Sequence, residues 1–102
     1  MNSNTDQLAV CIIANAGESK SLALEAIEAA KQKDFTNAEE LLKQSKQTRL
    51  EAHKAHYELI SLDAKEGVKV SMLLVHASNH LSVAEVTVQF AETIIDLLKE
   101  RR

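Results

Sequence analysis

Residues Val70–Ala91 read V-S-M-L-L-V-H-A-S-N-H-L-S-V-A-E-V-T-V-Q-F-A, and in these twenty-two positions Glu85 is the only Asp, Glu, Lys or Arg. Apolar residues recur along the stretch with the period of an α-helix rather than the alternation of a strand. One face reads Val70, Leu73/Leu74, Ala77, Leu81, Ala84, Val88 and Ala91, and continues through Ile95 and Leu98. A second face reads Met72, His76, Asn79/His80, Val83, Val86 and Phe90, and continues to Leu97. A helix on the outside of a small bundle needs one apolar face and presents polar residues elsewhere. Two such faces predict a helix that packs on its own chain with one and on another surface with the other, most simply copies of the same chain. His76 and His80, spaced i and i+4, share the second face one turn apart.

The rest of the chain follows the same helical logic. It has no proline and only two glycines, Gly17 and Gly67, which argues against a turn-rich β fold and for a few long helices. Only Phe35, Tyr57 and Phe90 are aromatic, so the core is built from Leu, Ile, Val and Ala. At 102 residues one domain is expected, 1–102, small enough to gain from oligomerisation. The reading is all-α, a three-helix up-down-up bundle with helices at about 5–31, 36–65 and 69–99, each roughly 40–46 Å long at 1.5 Å per residue.

In the first helix Ser3, Asn4 and Thr5 offer N-cap side chains, and Asp6 suits the first turn. Its stripe runs Leu8, Cys11/Ile12, Ala16, Ser19, Leu22/Ala23, Ala26/Ile27 and Ala30, with Cys11 expected as a small buried hydrophobe. Gly17 falls mid-helix, where glycine costs about 1 kcal/mol against alanine. Two readings account for it: close approach of another helix or a kink, or room for a phosphate or partner beside the histidines. Thr36 and Glu39 form a T-x-x-E capping box opening the second helix, whose stripe is thin and whose other side is lined with charge. Gly67 is placed to stop that helix in the left-handed conformation.

Charge and cysteine content exclude several function classes. The formal net charge of −3 divides into −2 over residues 1–35, −1 over 36–68 and 0 over 69–102, so no segment carries the basic stripe that nucleic-acid binding needs. Cys11 is the only cysteine, which rules out an intramolecular disulfide or a cysteine zinc site. No basic-then-apolar leader opens the chain, and the least charged run is too polar to face lipid. The expectation is a soluble cytoplasmic protein.

Two histidine pairs remain, His53/His56 and His76/His80. Ala77 stands where the metalloprotease motif H-E-x-x-H needs glutamate. The second and third helices contain no E-x-x-H of the kind that builds di-iron bundles. His53 and His56 read as ordinary surface or interface residues. His76 and His80 lie within the dry face, and an imidazole in its neutral form is nucleophilic. Such a group accepts a phosphoryl group in line and passes it on, while a second imidazole one turn away donates to a phosphate oxygen. An apolar rim lets a partner dock and exclude water from a hydrolysable phosphohistidine.

Val75-His76-Ala77-Ser78-Asn79-His80-Leu81 resembles the active-site segment of enzyme IIA of the lactose/cellobiose family of the bacterial phosphoenolpyruvate-dependent sugar phosphotransferase system. That family's run reads approximately histidine, glycine or alanine, glutamine, aspartate, histidine, leucine. Ile12–Ser21 matches its first-helix pattern I-V-x-x-A-G-(D/E)-A-(R/K)-S, Asp34–Ala38 its D-F-x-x-A turn, and Glu51-Ala52-His53 its E-A-H. The resemblance implies a nine-helix homotrimer of three-helix protomers. It also implies that His76 accepts a phosphoryl group from phospho-HPr and passes it to a cysteine of the cognate enzyme IIB, which serves a membrane IIC. His80 then hydrogen-bonds the phosphate, with Gly17, Ser78 and Asn79 in supporting positions. The sugar is a disaccharide such as cellobiose, chitobiose or lactose, with specificity residing mostly in the membrane component.

Two positions of the active-site run depart from the family's pattern. Ser78 stands where glutamine is usual, which replaces an amide with a shorter hydroxyl. Asn79 stands where three copies of an aspartate gather around a metal ion on the trimer axis. A neutral amide is a poor ligand for a hard dication, and three asparagines pair with one another where three aspartates repel. No cofactor and no axial metal are therefore expected. Two other readings compete with a phosphocarrier: a helical scaffold that keeps the fold without the relay, and a zinc-binding bundle using His76 and His80 with ligands from a neighbour.

Overall fold

The structure, a computed structural model, describes residues 3–101, leaving the side chain of Ser3 aside. Three helices follow one another, α1 (Ser3–Lys31), α2 (Phe35–Glu66) and α3 (Met72–Glu100). The described chain is a rod of 53 × 19 × 16 Å. The up-down-up bundle read from periodicity is the fold, with differences at the helix ends that have local causes.

Ser3, Asn4 and Thr5, expected to cap α1, are themselves helical, and what precedes them lies outside the described residues. The α1–α2 turn is closed by Lys33, whose φ of 65° is left-handed without the help of glycine. Its amide donates to the Ala30 carbonyl and the Asp34 amide to that of Ala29. Asp34 then caps α2, its carboxylate accepting from the Asn37 amide at 3.3 Å. The Thr36–Glu39 capping box is thus overturned: the helix opens at Phe35, which leaves Thr36 already inside its first turn.

Gly67 ends α2 with the positive φ expected of it, 75°, but its ψ of 137° leads the chain out extended rather than into the left-handed helical well. The Asp63 carboxylate holds the exit by accepting from the Val68 amide at 2.9 Å, and Val68 packs on the core. This extended segment delays α3 beyond the expected Lys69. Ser71, extended at φ −133° and ψ 165°, caps it by accepting from the Leu74 amide at 3.2 Å.

The core is in two clusters. The first joins Ala9, Ile12 and Ala16 to Ala52, Ala55 and Leu59 and to Leu74, Ala77, Leu81 and Ala84. The second joins Ala23, Ala26 and Ala30 to Ala38 and Leu42 and to Val88, Ala91 and Ile95. Alanines at most of these positions let the helices lie close. Ile12, Val88 and Ile95 are the large apolar side chains fully buried, and truncating such a residue to alanine costs about 2–5 kcal/mol. Ser19 and Ser45, also fully buried, face each other between α1 and α2. The Ser19 hydroxyl donates to the Ser45 carbonyl at 2.8 Å and the Ser45 hydroxyl to the Ser19 carbonyl at 2.7 Å.

α1 contributes apolar residues to both clusters alongside α2 and α3. The interhelical ion pairs among the described residues instead all join α2 to α3: Lys46–Glu92, Lys99–Glu39, Arg49–Glu85 at 3.5 Å and His53–Glu85 at 2.8 Å. Two sequence expectations fail on α1. Cys11 is exposed, because the buried face of Ala9, Ile12 and Ala16 is narrow and Cys11 falls beside it. Gly17 brings no helix close within the protomer, since a Cβ there would find no heavy atom within 4 Å. The helix runs through it unbroken.

Candidate functional site

α3 presents two faces. Leu74, Ala77, Leu81, Ala84, Val88, Ala91 and Ile95 are buried against the other helices. On the opposite side Met72, Val83, Val86, Phe90 and Leu97 are exposed, Met72 at 83% and Phe90 at 64%. Both faces expected from the sequence are therefore present, except that Val70, assigned to the inner face, lies exposed in the loop before the helix.

His76 and His80 lie at the side of the exposed apolar face. Each is followed by a core residue, Ala77 and Leu81, so packing fixes the backbone directly beneath the two imidazoles. His76 is exposed and His80 half-buried. Their rings meet edge to face, with centroids 4.5 Å apart and planes at 87°. Nε2 of one lies 3.2 Å from Nε2 of the other. A hydrogen bond between two imidazole nitrogens needs one to carry a proton and the other a lone pair. The pair is thus an acceptor with its donor attached, held on a rigid helix and open to solvent.

Of the supporting residues expected around it, Ser78 and Asn79 are exposed on α3 and Gly17 is half-buried on α1. Asn79 falls among the exposed apolar side chains of α3, one turn before Val83. His53 stands apart from this site, bonded through Nε2 to Glu85 on the α2–α3 seam, and His56 is half-buried on α2. Among the described residues no group of three or more His, Cys, Asp or Glu is placed to hold a metal ion. His76 and His80 would therefore offer a cation two protein ligands, not the three or four of a structural or catalytic zinc centre.

The direct Nε2–Nε2 contact was not foreseen, although the i, i+4 spacing brings such side chains within reach. The apolar rim expected beside His76 is present as Met72, one turn before it, and Val75, next to it in the chain, both exposed. Both rim residues are apolar and lie in the uncharged run, which is the signal that marks them. No helix among the described residues is long and apolar enough to cross a membrane.

Residues 7–99 match the family described as "PTS system, Lactose/Cellobiose specific IIA subunit". The chain is 38% identical over 93 residues to the PTS system N,N'-diacetylchitobiose-specific EIIA component of Escherichia coli K12, covering 90% of this chain and 80% of that protein. Among solved structures, the crystal structure of the PTS cellobiose-specific enzyme IIA from Bacillus anthracis superposes with a TM-score of 0.92 at 36% identity, covering 98% of this chain and 93% of that one. The IIA(chitobiose) chain of solution structures of the IIA(chitobiose)–HPr complex gives a TM-score of 0.83 at 35% identity, with 94% of each chain covered.

Proposed function

This chain belongs to the lactose/cellobiose-specific IIA family of the sugar phosphotransferase system, and from that premise we propose that it is a phosphocarrier whose reactive atom is Nε2 of His76. The observation that carries the assignment is the exposed imidazole of His76 with the Nε2 of His80 3.2 Å away.

In the accepting step the Nε2 lone pair of His76 attacks the phosphorus of phospho-HPr. A new N–P bond forms as the donor's N–P bond breaks, and the donor imidazole keeps the electron pair. The His80 N–H, released from His76 Nε2, turns to a phosphoryl oxygen and stabilises the charge there. In the second step a thiolate of the cognate enzyme IIB attacks the same phosphorus, an S–P bond replaces the N–P bond, and His76 regains its lone pair. The chain's own groups supply the nucleophile and the hydrogen-bond donor, so this chemistry asks for no cofactor. Docking of either partner over Met72 and Val75 removes water that would hydrolyse the phosphohistidine. The solved complex between a related IIA and HPr supports HPr as the donor.

The protein functions in the cytoplasm as a single domain, handing its phosphoryl group toward a membrane IIC that imports a disaccharide. The exposed face of α3, lined by Val83, Val86, Phe90 and Leu97, supports assembly as a homotrimer about that helix. Asn79 then lies toward the axis, where amides hydrogen-bond to one another and a metal ion has no carboxylate to bind.

Incubation with phosphoenolpyruvate, enzyme I and HPr, followed by intact-mass measurement, tests the carrier. One acid-labile phosphoryl group per chain is expected, absent from the His76→Gln variant. A wild-type chain that takes up none would return the protein to the scaffold reading.

A further inference from the structure

The geometry that prepares His76 for phosphoryl transfer also fits a different ligand. Zinc binds imidazole nitrogen at about 2.0–2.1 Å, so two nitrogens on one ion at angles from square to tetrahedral stand about 2.9–3.4 Å apart. Nε2 of His76 and Nε2 of His80 stand 3.2 Å apart. Two histidines at i and i+4 on a helix are a known way to present two ligands to one cation. Here the helix is held by Ala77 and Leu81 in the core, so the two nitrogens stay within reach of one ion and the rings turn from their mutual hydrogen bond to aim both lone pairs at it. His76 is exposed and His80 half-buried, which leaves the remaining coordination positions open to water. α3 carries no lysine or arginine before Lys99 to repel a cation.

We propose that His76 and His80 chelate a transition-metal dication of the zinc class, and that the metal and the phosphoryl group compete for the same lone pair on His76 Nε2. On binding, the proton that joins the two nitrogens moves through solvent to Nδ1 of the same ring. Both Nε2 lone pairs then become metal–nitrogen bonds, and both imidazoles stay neutral. With two protein ligands the site binds reversibly, unlike the three- and four-ligand centres that hold zinc permanently. A His76 bound to metal has no electron pair for phosphorus, and a phosphorylated His76 has none for metal. Free dication thus acts as an inhibitor at the relay itself. The competition rests on the phosphocarrier reading above, whereas the chelation does not.

Zinc chloride titrated into the purified chain, followed by calorimetry and by long-range proton–nitrogen correlation spectra of the imidazoles, tests the chelation alone. The expected result is that the His76 and His80 Nε2 signals shift together while those of His53 and His56 stay in place. Loss of either ligand, in His80→Gln or His76→Gln, is expected to weaken zinc at least about tenfold, the least that losing even an outer-shell partner costs. Shifts confined to His53, or unchanged affinity in both variants, would overturn the chelate. A single-turnover transfer from purified phospho-HPr then tests the competition: zinc is expected to slow phosphorylation of wild type, and EDTA to restore it. Transfer at an unchanged rate with both imidazoles zinc-shifted overturns the competition. A chain that never accepts a phosphoryl group, with or without zinc, fails the phosphocarrier reading and leaves the chelation to the spectra.

Discussion

Ser19 and Ser45 grip each other's backbone, each hydroxyl donating to the other residue's carbonyl at 2.8 and 2.7 Å. Their oxygens are 3.2 Å apart. The two bonds cross the α1–α2 interface between the two apolar clusters and are wholly buried. Ser19→Ala and Ser45→Ala are each expected to lower stability by about 1 kcal/mol. Because the hydroxyls touch, the double variant should depart from additivity in a denaturant-melt cycle. Strict additivity would mean that the bonds act independently.

The two candidate caps of α2 make opposite predictions. Asp34 accepts from the Asn37 amide, whereas Thr36 lies inside the helix. Asp34→Ala is expected to cost about 1 kcal/mol and Thr36→Ala only a few tenths. Urea denaturation of the two variants decides between them, and the reverse order would restore Thr36 as the cap.

In the proposed mechanism His80 acts on the phosphoryl group through a hydrogen bond, so its loss should appear in rate and not in folding. His80→Ala is expected to slow phosphorylation of His76 by about a hundredfold, in line with removal of one oxyanion donor. His80→Gln keeps an N–H and should recover part of the rate. Stopped-flow transfer from phospho-HPr measures both, and equal rates for wild type and His80→Ala would remove His80 from the mechanism.

Asn79→Asp restores a carboxylate to the exposed face of α3. In a trimer about that helix three such groups face one another and repel unless a cation joins them. The variant's melting temperature is expected to fall in EDTA and to rise with added magnesium or calcium, while the wild type responds to neither. Sedimentation should show the variant dissociating when the cation is withdrawn. A variant indifferent to both conditions would place Asn79 away from any shared axis.

What was legible in the sequence was whatever periodicity determines. Ala77, Leu81, Ala84, Val88 and Ile95 are buried, as the spacing required, and Val83, Val86 and Phe90 are exposed on the opposite side. The His76–His80 pair was legible for the same reason, since i and i+4 are neighbours on any helix. Cys11 was misread because its apolar neighbours in sequence imitate a core. Burial depends on the width of the contact, and an alanine-lined contact is narrow. Ser19 opposite Ser45 and Glu85 opposite His53 were not legible, because each pair lies on two helices whose mutual register no local pattern fixes. The start of α3 depended on Val68 reaching the core, again a contact made at a distance.

The uneven joining of the helices sets an order in time. α1 and α2 are connected by the short turn through Lys33, so their contacts close early and at little entropic cost. α3 must return across the length of the chain to reach α1, and the ion pairs that join it to α2 are partly exposed and screened. It is synthesised after α1 and α2 and is expected to dock after them. Pulsed amide exchange during refolding should therefore protect α1 and α2 before α3, and protection of α3 first or at the same moment would contradict this order. Both histidines ride on that helix, so the pair proposed to carry the phosphoryl group comes to rest on the bundle only when the rest of the protomer is already in place.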